Sequence, residues 1–406
     1  MKKIKNYVYV DISITANSKH KTGIQRVVRE LSSCFDKINS EFLEIRYLNT
    51  NEKKERSDDL YMNADNFIYL KNKFKNLINF FKRFAWNVLP YRFASKLASY
   101  TTRYYRIKHL LNNALVDDND AKHILLLLDS NWTRDALIMS KLFKSNGHKV
   151  VSIFYDLSPL IKPDFFEKGV ANNFKNYWYA EFAYTDSILS ISNTISKELK
   201  NYANKNGLKN NRNIHYDYFY LGCNFYDFKT INTNVIRDEK KYLSVGSIEP
   251  RKNVGLILNV FETLWREGHN HKITFIYNNE WREDSLIEKI ESHPQKNKKL
   301  FIVKGSSDRE LAIEYQSAYA LISASVYEGY GLGLAEALIS GCKVFASNIP
   351  VYKELYDDQA IFFENDLNDL KNKIIDDSKN KYDMKKFRQL SWEKAANNLL
   401  KKVVEN

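Results

Sequence analysis

Residues 324–338 read Ala-Ser-Val-Tyr-Glu328-Gly-Tyr-Gly-Leu-Gly-Leu-Ala-Glu336-Ala-Leu. An apolar run of strand length, 319–323, precedes them, and Leu334, Ala335, Leu338 and Ile339 recur at helical spacing. The stretch is therefore a strand, a glycine-rich turn and a helix start. Gly329, Gly331 and Gly333 let the backbone pass close to a ligand and present its N–H groups. A helix N-terminus adds free donors and positive potential, which suits a phosphate. Glu328 lies in the turn and Glu336 a turn or so into the helix. Both can face one ligand, their carboxylates accepting hydrogen bonds from hydroxyls.

A second stretch has the same grammar. Gly246-Ser-Ile-Glu-Pro-Arg251-Lys252-Asn253 follows an apolar strand, 241–245, and leads into a helix, 254–266. Arg251 can grip a phosphate through two parallel N–H bonds, and Lys252 adds a compact charge. Near the N-terminus, a buried strand at 7–12 is followed by a polar loop and by Thr22-Gly23-Ile24-Gln25-Arg26-Val27. Ile24, Val27, Val28, Leu31 and Phe35 mark an amphipathic helix that Thr22 can cap and Gly23 opens. Arg26 reads either as a cleft residue or, more simply, as a solvated charge. Strand 149–155 ends in Asp156, where ligands sit in open α/β sheets; Asp156 reads equally well as a helix cap.

The rest of the chain alternates strands and helices in two blocks, which implies two doubly wound parallel sheets facing a cleft. Residues 1–225 form the first, Rossmann-like block, with a basic helical insertion near 66–116. Residues 226–240 read as a linker, 241–390 as the second block, and 391–406 as a closing amphipathic helix. At 406 residues two cores are expected, and 44% apolar content suits a soluble chain. No apolar run reaches the ~18 residues needed to span a bilayer. The basic start, Met1-Lys-Lys-Ile-Lys, precedes a run broken by Asp11, so it reads as a first strand rather than a signal peptide. Cys34, Cys223 and Cys342 are scattered, which fits a reducing cytosol.

The net charge is +13, and its location matters more than its size. Residues 66–116 hold ten Lys or Arg and no acid. Phe74, Leu77, Ile78, Phe81, Phe84, Ala85 and Val88 mark one helical face that Pro90 ends; Phe93, Leu97, Tyr100, Tyr104, Ile107 and Leu111 mark another. Such helices can lie on an anionic leaflet or pack on a sheet with a solvated basic face. The excess lies outside the motifs and forms no recognition module, so nucleic acid is not the expected partner.

The Glu328–Glu336 spacing, with its Glu-Gly-Tyr-Gly-Leu start and Glu-Ala-Leu end, resembles the signature of retaining GT-B glycosyltransferases, above all glycosyltransferase family four. The Thr-Gly-Ile-Gln-Arg-Val string resembles a subset that includes bacterial mannosyltransferases of surface polysaccharide synthesis. The resemblance covers nearly all of the second block and scattered strings of the first. It implies that Glu328 touches the donor sugar, Glu336 holds the ribose, and Arg251 and Lys252 bind the diphosphate. Gly23, Tyr330, Gly331, Leu332, Gly333 and Leu334 would line the donor. Gly305, in Val303-Lys-Gly305-Ser-Ser-Asp-Arg-Glu-Leu311, would lie by the base. Asp156 follows Tyr155 where relatives often carry His-Asp or Tyr-Asp; where they have His, that His contacts the donor sugar or acceptor, Tyr155 departs from that form, and Asp156 is the catalytic candidate carried over. The implied substrates are a GDP- or UDP-sugar, with GDP-mannose favoured, and a glycan or lipid-linked glycan at the inner face of the membrane. No cofactor is implied, and no Asp-x-Asp metal motif sits at a strand end. A GT-B-like epimerase is the alternative, one that would release nucleotide without an acceptor.

Overall fold

The computed structural model describes residues 5–18, 23–38, 42–50, 91–118, 120–130, 132–208, 213–223, 235–277, 283–377 and 391–405, together with 67–68; residues 67–68 and 91–98 are described in backbone only. The Thr22 cap, the 74–88 helix with Pro90 and most of the 226–240 linker lie outside these residues.

The first sheet has seven strands: β1 (Asn6–Asp11), β2 (Leu43–Leu48), β3 (Phe67–Ile68), β4 (Lys122–Leu127), β5 (Lys149–Phe154), β6 (Ser187–Ser190) and β7 (His215–Tyr218). Every pairing is parallel and the order is β3-β2-β1-β4-β5-β6-β7. The second sheet has six: β8 (Asp238–Val245), β9 (Lys272–Tyr277), β10 (Leu300–Lys304), β11 (Ala318–Ser323), β12 (Lys343–Ser347) and β13 (Ile361–Phe363). It is also parallel, in the order β10-β9-β8-β11-β12-β13. This is the two-sheet α/β architecture expected from the alternating blocks. Strand order reverses between β1 and β4 and again between β8 and β11, and ligands of open α/β sheets bind outside the carboxyl ends of strands at such points.

Helices cover both faces of each sheet, which explains why β4 reads as continuous Ile-Leu-Leu-Leu and is buried from His123 to Leu127. Helix α1 (Gly23–Phe35) buries Val27, Val28, Leu31 and Phe35 on the first sheet. Each such side chain contributes about 1.5–3 kcal/mol by leaving water. Helix α2 (Tyr91–Ala114) lays Ile107, Leu110, Leu111 and Ala114 inward. Its Arg103 and Arg106 pair with Asp135 at 2.8 and 2.7 Å. The C-terminal half of the second basic helix is therefore packed on the sheet, and two of the cations assigned to a solvated face are bound to a carboxylate. Among the described residues no helix is long and apolar enough to cross a membrane.

The remaining first-domain helices are α3 (Arg134–Ser145), the short α4 (Ser158–Ile161), α5 (Lys168–Glu181) and α6 (Asn193–Lys205). In the second sheet they are α7 (Val254–Arg266), α8 (Asp284–Glu291), α9 (Asp308–Ser317), α10 (Leu332–Ile339), α11 (Pro350–Tyr356) and α12 (Leu367–Asp377). Helix α13 (Trp392–Glu405) buries Trp392, Ala395, Ala396, Leu399, Leu400 and Val403 in the core of the first sheet, beside α1. The chain thus returns to the first sheet, and the start of the returning helix packs against the end of the first block. A Cβ on Gly222 would lie 2.5 Å from the backbone of Trp392.

Candidate functional site

At the end of β8 the chain turns through Gly246, whose φ of 131° is open to glycine. Pro250–Lys252 form a single 3₁₀ turn, and Asn253 takes the left-handed conformation, φ 51°, before α7 begins. Asparagine tolerates that region better than most residues. The result throws Arg251 and Lys252 back over the strand ends. Beside Lys252 lies a shallow, solvent-open hollow lined by Gly246, Ser247, Lys252, Tyr277, Ser323 and Ser325.

Glu328 follows β11 and meets both cations. Its Oε2 is 2.8 Å from Arg251 Nη1, its Oε1 is 2.5 Å from Lys252 Nζ, and Ser325 donates to Oε1 at 2.8 Å. Burial opposes the charge on Glu328, but Arg251 and then Lys252 outweigh it and bring the carboxyl down to about 2. Arg251 also meets Glu249 at 2.8 Å, and Ser247 donates to that same Glu249 oxygen. Burial disfavours the guanidinium charge, while Glu328, Glu249 and Asp156 together raise its pKa above the ordinary value. The Val326 N–H donates to the Arg251 carbonyl at 2.8 Å, tying the two loops together.

The glycines divide by task. A Cβ on Gly329 would meet the Tyr155 carbonyl oxygen at 2.1 Å, so this glycine admits a close contact between the sheets. Gly331 has φ 90° and lies under the Tyr352 ring, 2.5 Å from where a Cβ would be. It is the residue before α10. Around Gly333 the nearest neighbour of a Cβ is the Tyr315 hydroxyl at 3.6 Å. Gly331, Leu332 and Gly333 are partly exposed, and Leu334 is buried. The N–H groups at the very start of α10, Leu332 and Gly333, lack intrahelical acceptors, as at any helix start, while the Leu334 N–H donates to the Gly331 carbonyl at 2.9 Å. Tyr330 spends its hydroxyl on the Leu221 carbonyl at 2.9 Å, so its side chain joins the sheets rather than facing the hollow. We predict that Gly329→Ala loosens this junction at a cost of about 1–3 kcal/mol, the range for overpacking. Denaturant titration checks it, and Gly333→Ala should cost far less.

Glu336, on α10, is 5% exposed. Its Oε1 pairs with Arg26 Nη1 from α1, and Tyr315 donates to Oε2 at 3.3 Å. Gly23 opens α1 with nothing within 4 Å of a Cβ position. Arg26, three residues on, is therefore no solvated charge: it bridges the two sheets across 310 positions. Sequence periodicity gave no signal for this partner.

Asp156 accepts the Ser158 N–H at 2.7 Å, which closes the turn into α4. Burial raises its pKa, with Glu328 adding to the rise and Arg251 opposing it. It is a turn-closing acid within the field of Arg251, and the cap position of α4 itself falls to Leu157. Gly305 is exposed, with φ 77°, at the end of β10. The segment after it is a capping box, Ser307 with Glu310, that begins α9. Asp11 and Asp129 end β1 and β4 at the first switch point and were not singled out by sequence. Burial and then Asp129 raise the Asp11 carboxyl to about 7 against hydrogen bonds from Ser13. Asp129 accepts from the Thr15 N–H and hydroxyl at 2.6 and 3.0 Å.

Further contacts fix the glycine loop against the first sheet. Tyr327 donates to Glu198 at 2.5 Å, and Ser192 donates to the Gly329 carbonyl at 3.1 Å. Glu354 on α11 accepts the N–H groups of Asn193 and Thr194, at 2.8 and 2.6 Å, at the start of α6. A carboxylate at a helix N-terminus is favoured by the dipole.

Residues 228–394 match the family described as Glycosyl transferases group 1. The chain is similar to the serotype-specific mannosyltransferase WbdA of Escherichia coli, 29% identical over 269 residues that make up 62% of this chain and 33% of that protein. It is also similar to the O-antigen chain mannosyltransferase RfbU of Salmonella typhimurium, 30% identical over 128 residues, 32% of this chain and 35% of that one. The chain thus spans about a third of the length of these curated relatives. Among solved structures it resembles sucrose-phosphate synthase from Thermosynechococcus elongatus, with a TM-score of 0.61 and 13% identity, covering 99% of this chain and 94% of that one.

Proposed function

We propose that this chain, a GT-B protein of the glycosyltransferase group 1 family, moves a sugar from a nucleotide-sugar donor to a glycan or lipid-linked glycan with retention of configuration. GDP-mannose is the favoured donor, and bacterial surface polysaccharide is the favoured product. The relatives named as mannosyltransferases support the sugar. The single observation that carries the reaction is Glu328 held anionic between Arg251 and Lys252 at the switch point of the second sheet.

Breaking the anomeric bond builds positive charge on the sugar and negative charge on the leaving diphosphate. Arg251, Lys252 and the first turn of α10 would stabilise that leaving charge, the term that is usually largest in such catalysis. Glu328 would position the sugar rather than attack it, and Glu336 would accept the ribose hydroxyls. Gly23, Gly305 and the backbone of Tyr330, Gly331, Leu332, Gly333 and Leu334 would line the donor. Asp156, from the first sheet, would sit near the reacting carbon. The acceptor hydroxyl is held on the face that the diphosphate leaves, where a donor phosphate oxygen takes its proton. Orientation of the two reactants supplies much of the acceleration.

The test is incubation with GDP-mannose and with UDP-sugars beside a panel of mannose-ended acceptors, the product's anomeric proton being read by NMR. Transfer with the donor's configuration supports the proposal, and inversion or free nucleotide without a glycosylated acceptor contradicts it. A lipid-linked acceptor would be met at an anionic inner membrane surface, and the cations of 66–116 other than Arg103 and Arg106, which pair with Asp135, would add attraction of about 1 kcal/mol each. Flotation of the protein with anionic liposomes at low salt, lost at high salt, is the expected result; no flotation at low salt contradicts the placement and leaves the transfer reaction untouched.

A further inference from the structure

We propose that Arg26 is a positioning residue for the donor: reaching over from the first sheet, it holds the Glu336 carboxylate fixed and anionic for the ribose hydroxyls. The proposal rests on the reading of Glu336 as the ribose ligand.

The geometry is specific. Arg26 Nη1 engages Oε1 and the Tyr315 hydroxyl engages Oε2. A carboxylate has roughly four acceptor positions. One remains on each oxygen, the arrangement that two neighbouring hydroxyls can use together. A protonated carboxyl would present a donor on one of those oxygens, where a hydroxyl must itself donate.

The surroundings do not keep Glu336 charged unaided. It is 5% exposed, and burial pushes its pKa up. Arg26 opposes that rise without cancelling it, the Tyr315 hydrogen bond helps, and Asp308 at the start of α9 works against both. From α11 the Tyr356 phenol also faces this charge. Glu30, one turn along α1, faces Arg26 in turn. Arginine suits the task because it cannot be deprotonated in a protein. It is also anchored, since the next residues on its helix, Val27 and Val28, are buried in the core of the first sheet. Donor affinity is thereby made to depend on the first sheet staying docked on the second.

Calorimetric titration of GDP and of UDP into the full chain, between about pH 5.5 and 8.5, tests this. The parent sets the reference profile, because the terminal phosphate of either nucleotide itself titrates at about pH 6; the readout is the ratio of variant to parent affinity at each pH. Arg26→Met should fall furthest below the parent at the acid end and recover toward it as pH rises, by up to tenfold per pH unit, because the ribose-binding form is then the one that must lose a proton. Arg26→Lys keeps the charge and should follow the parent's profile. Arg26→Gln serves if the Met variant does not fold. An Arg26→Met profile that overlies the parent's, or tighter binding, would overturn the proposal. Glu336→Gln should be weak at every pH, with the ratio to parent unchanged by Arg26→Met; if it binds like the parent, the ribose reading itself fails, whatever the Arg26 variants do.

Discussion

Arg251→Ala should lower turnover by about 10²–10³-fold, the cost of removing one preorganised donor from a developing anion. It should also destabilise the fold by about 3 kcal/mol, the lower end for a broken buried pair, because buried Glu328 would keep only Lys252 and Ser325 and half-buried Glu249 would lose its cation. The two effects have separate readouts. Arg251→Lys keeps a positive charge, so its unfolding midpoint should stay near the parent's. Its turnover should still fall, since an ammonium lacks the planar fork that grips two phosphate oxygens. Lys252→Ala should cost less stability, because Arg251 and Ser325 still hold Glu328. If both cations act on one diphosphate, the double variant should lose less than the sum of the single losses. Strict additivity in the transfer rate would count against a shared site.

Glu328→Gln should split the kinetic constants. Turnover should fall by roughly 10²-fold, because a neutral amide cannot steady the charge that grows on the sugar. Affinity for the nucleoside diphosphate should hold or rise, because the variant withdraws an anion from Arg251 and Lys252. A variant with weaker nucleotide binding and unchanged turnover would reverse the assigned roles. The pH dependence of stability carries a second signature. The Glu328 carboxyl sits at about 2 against an ordinary 4.5. Its stabilisation is therefore present above the unfolded value and is lost as pH falls from about 4.5 through about 2. The acid limb of the parent's stability curve should be steeper than that of Glu328→Gln in that window.

The parts of the site that were legible in the sequence are those built from neighbours. Glu328, the glycines and Glu336 lie on one continuous strand, turn and helix, and Arg251 and Lys252 are adjacent. Alternation of apolar runs with helical stripes was enough for two parallel sheets. What stayed hidden is long-range. Arg26 looks like any cation on the polar side of an amphipathic helix until α1 is docked against α10. Gly329 reads as a ligand-approach glycine, yet the atom it admits is the Tyr155 carbonyl oxygen of the other sheet. Gly222 carries no motif; its reason is the passing backbone of Trp392. Strand β3 is two residues long and has no period to read. Glu354 sits in a plain helix, and only the fold brings its carboxylate to the start of α6. Each is a contact between segments far apart in the chain, and local pattern holds no record of it.

Calorimetric titration of GDP and UDP into the parent, Arg251→Ala and Glu336→Ala decides whether Arg251 and Lys252 receive a nucleoside diphosphate while Glu336 holds its ribose. Saturable binding of one nucleotide to the parent is predicted. Both variants should weaken it by roughly tenfold or more, the equivalent of about 1.5–3 kcal/mol for a lost charged hydrogen bond. Absence of binding of either nucleotide to the folded parent, or equal binding by all three proteins, would contradict these roles.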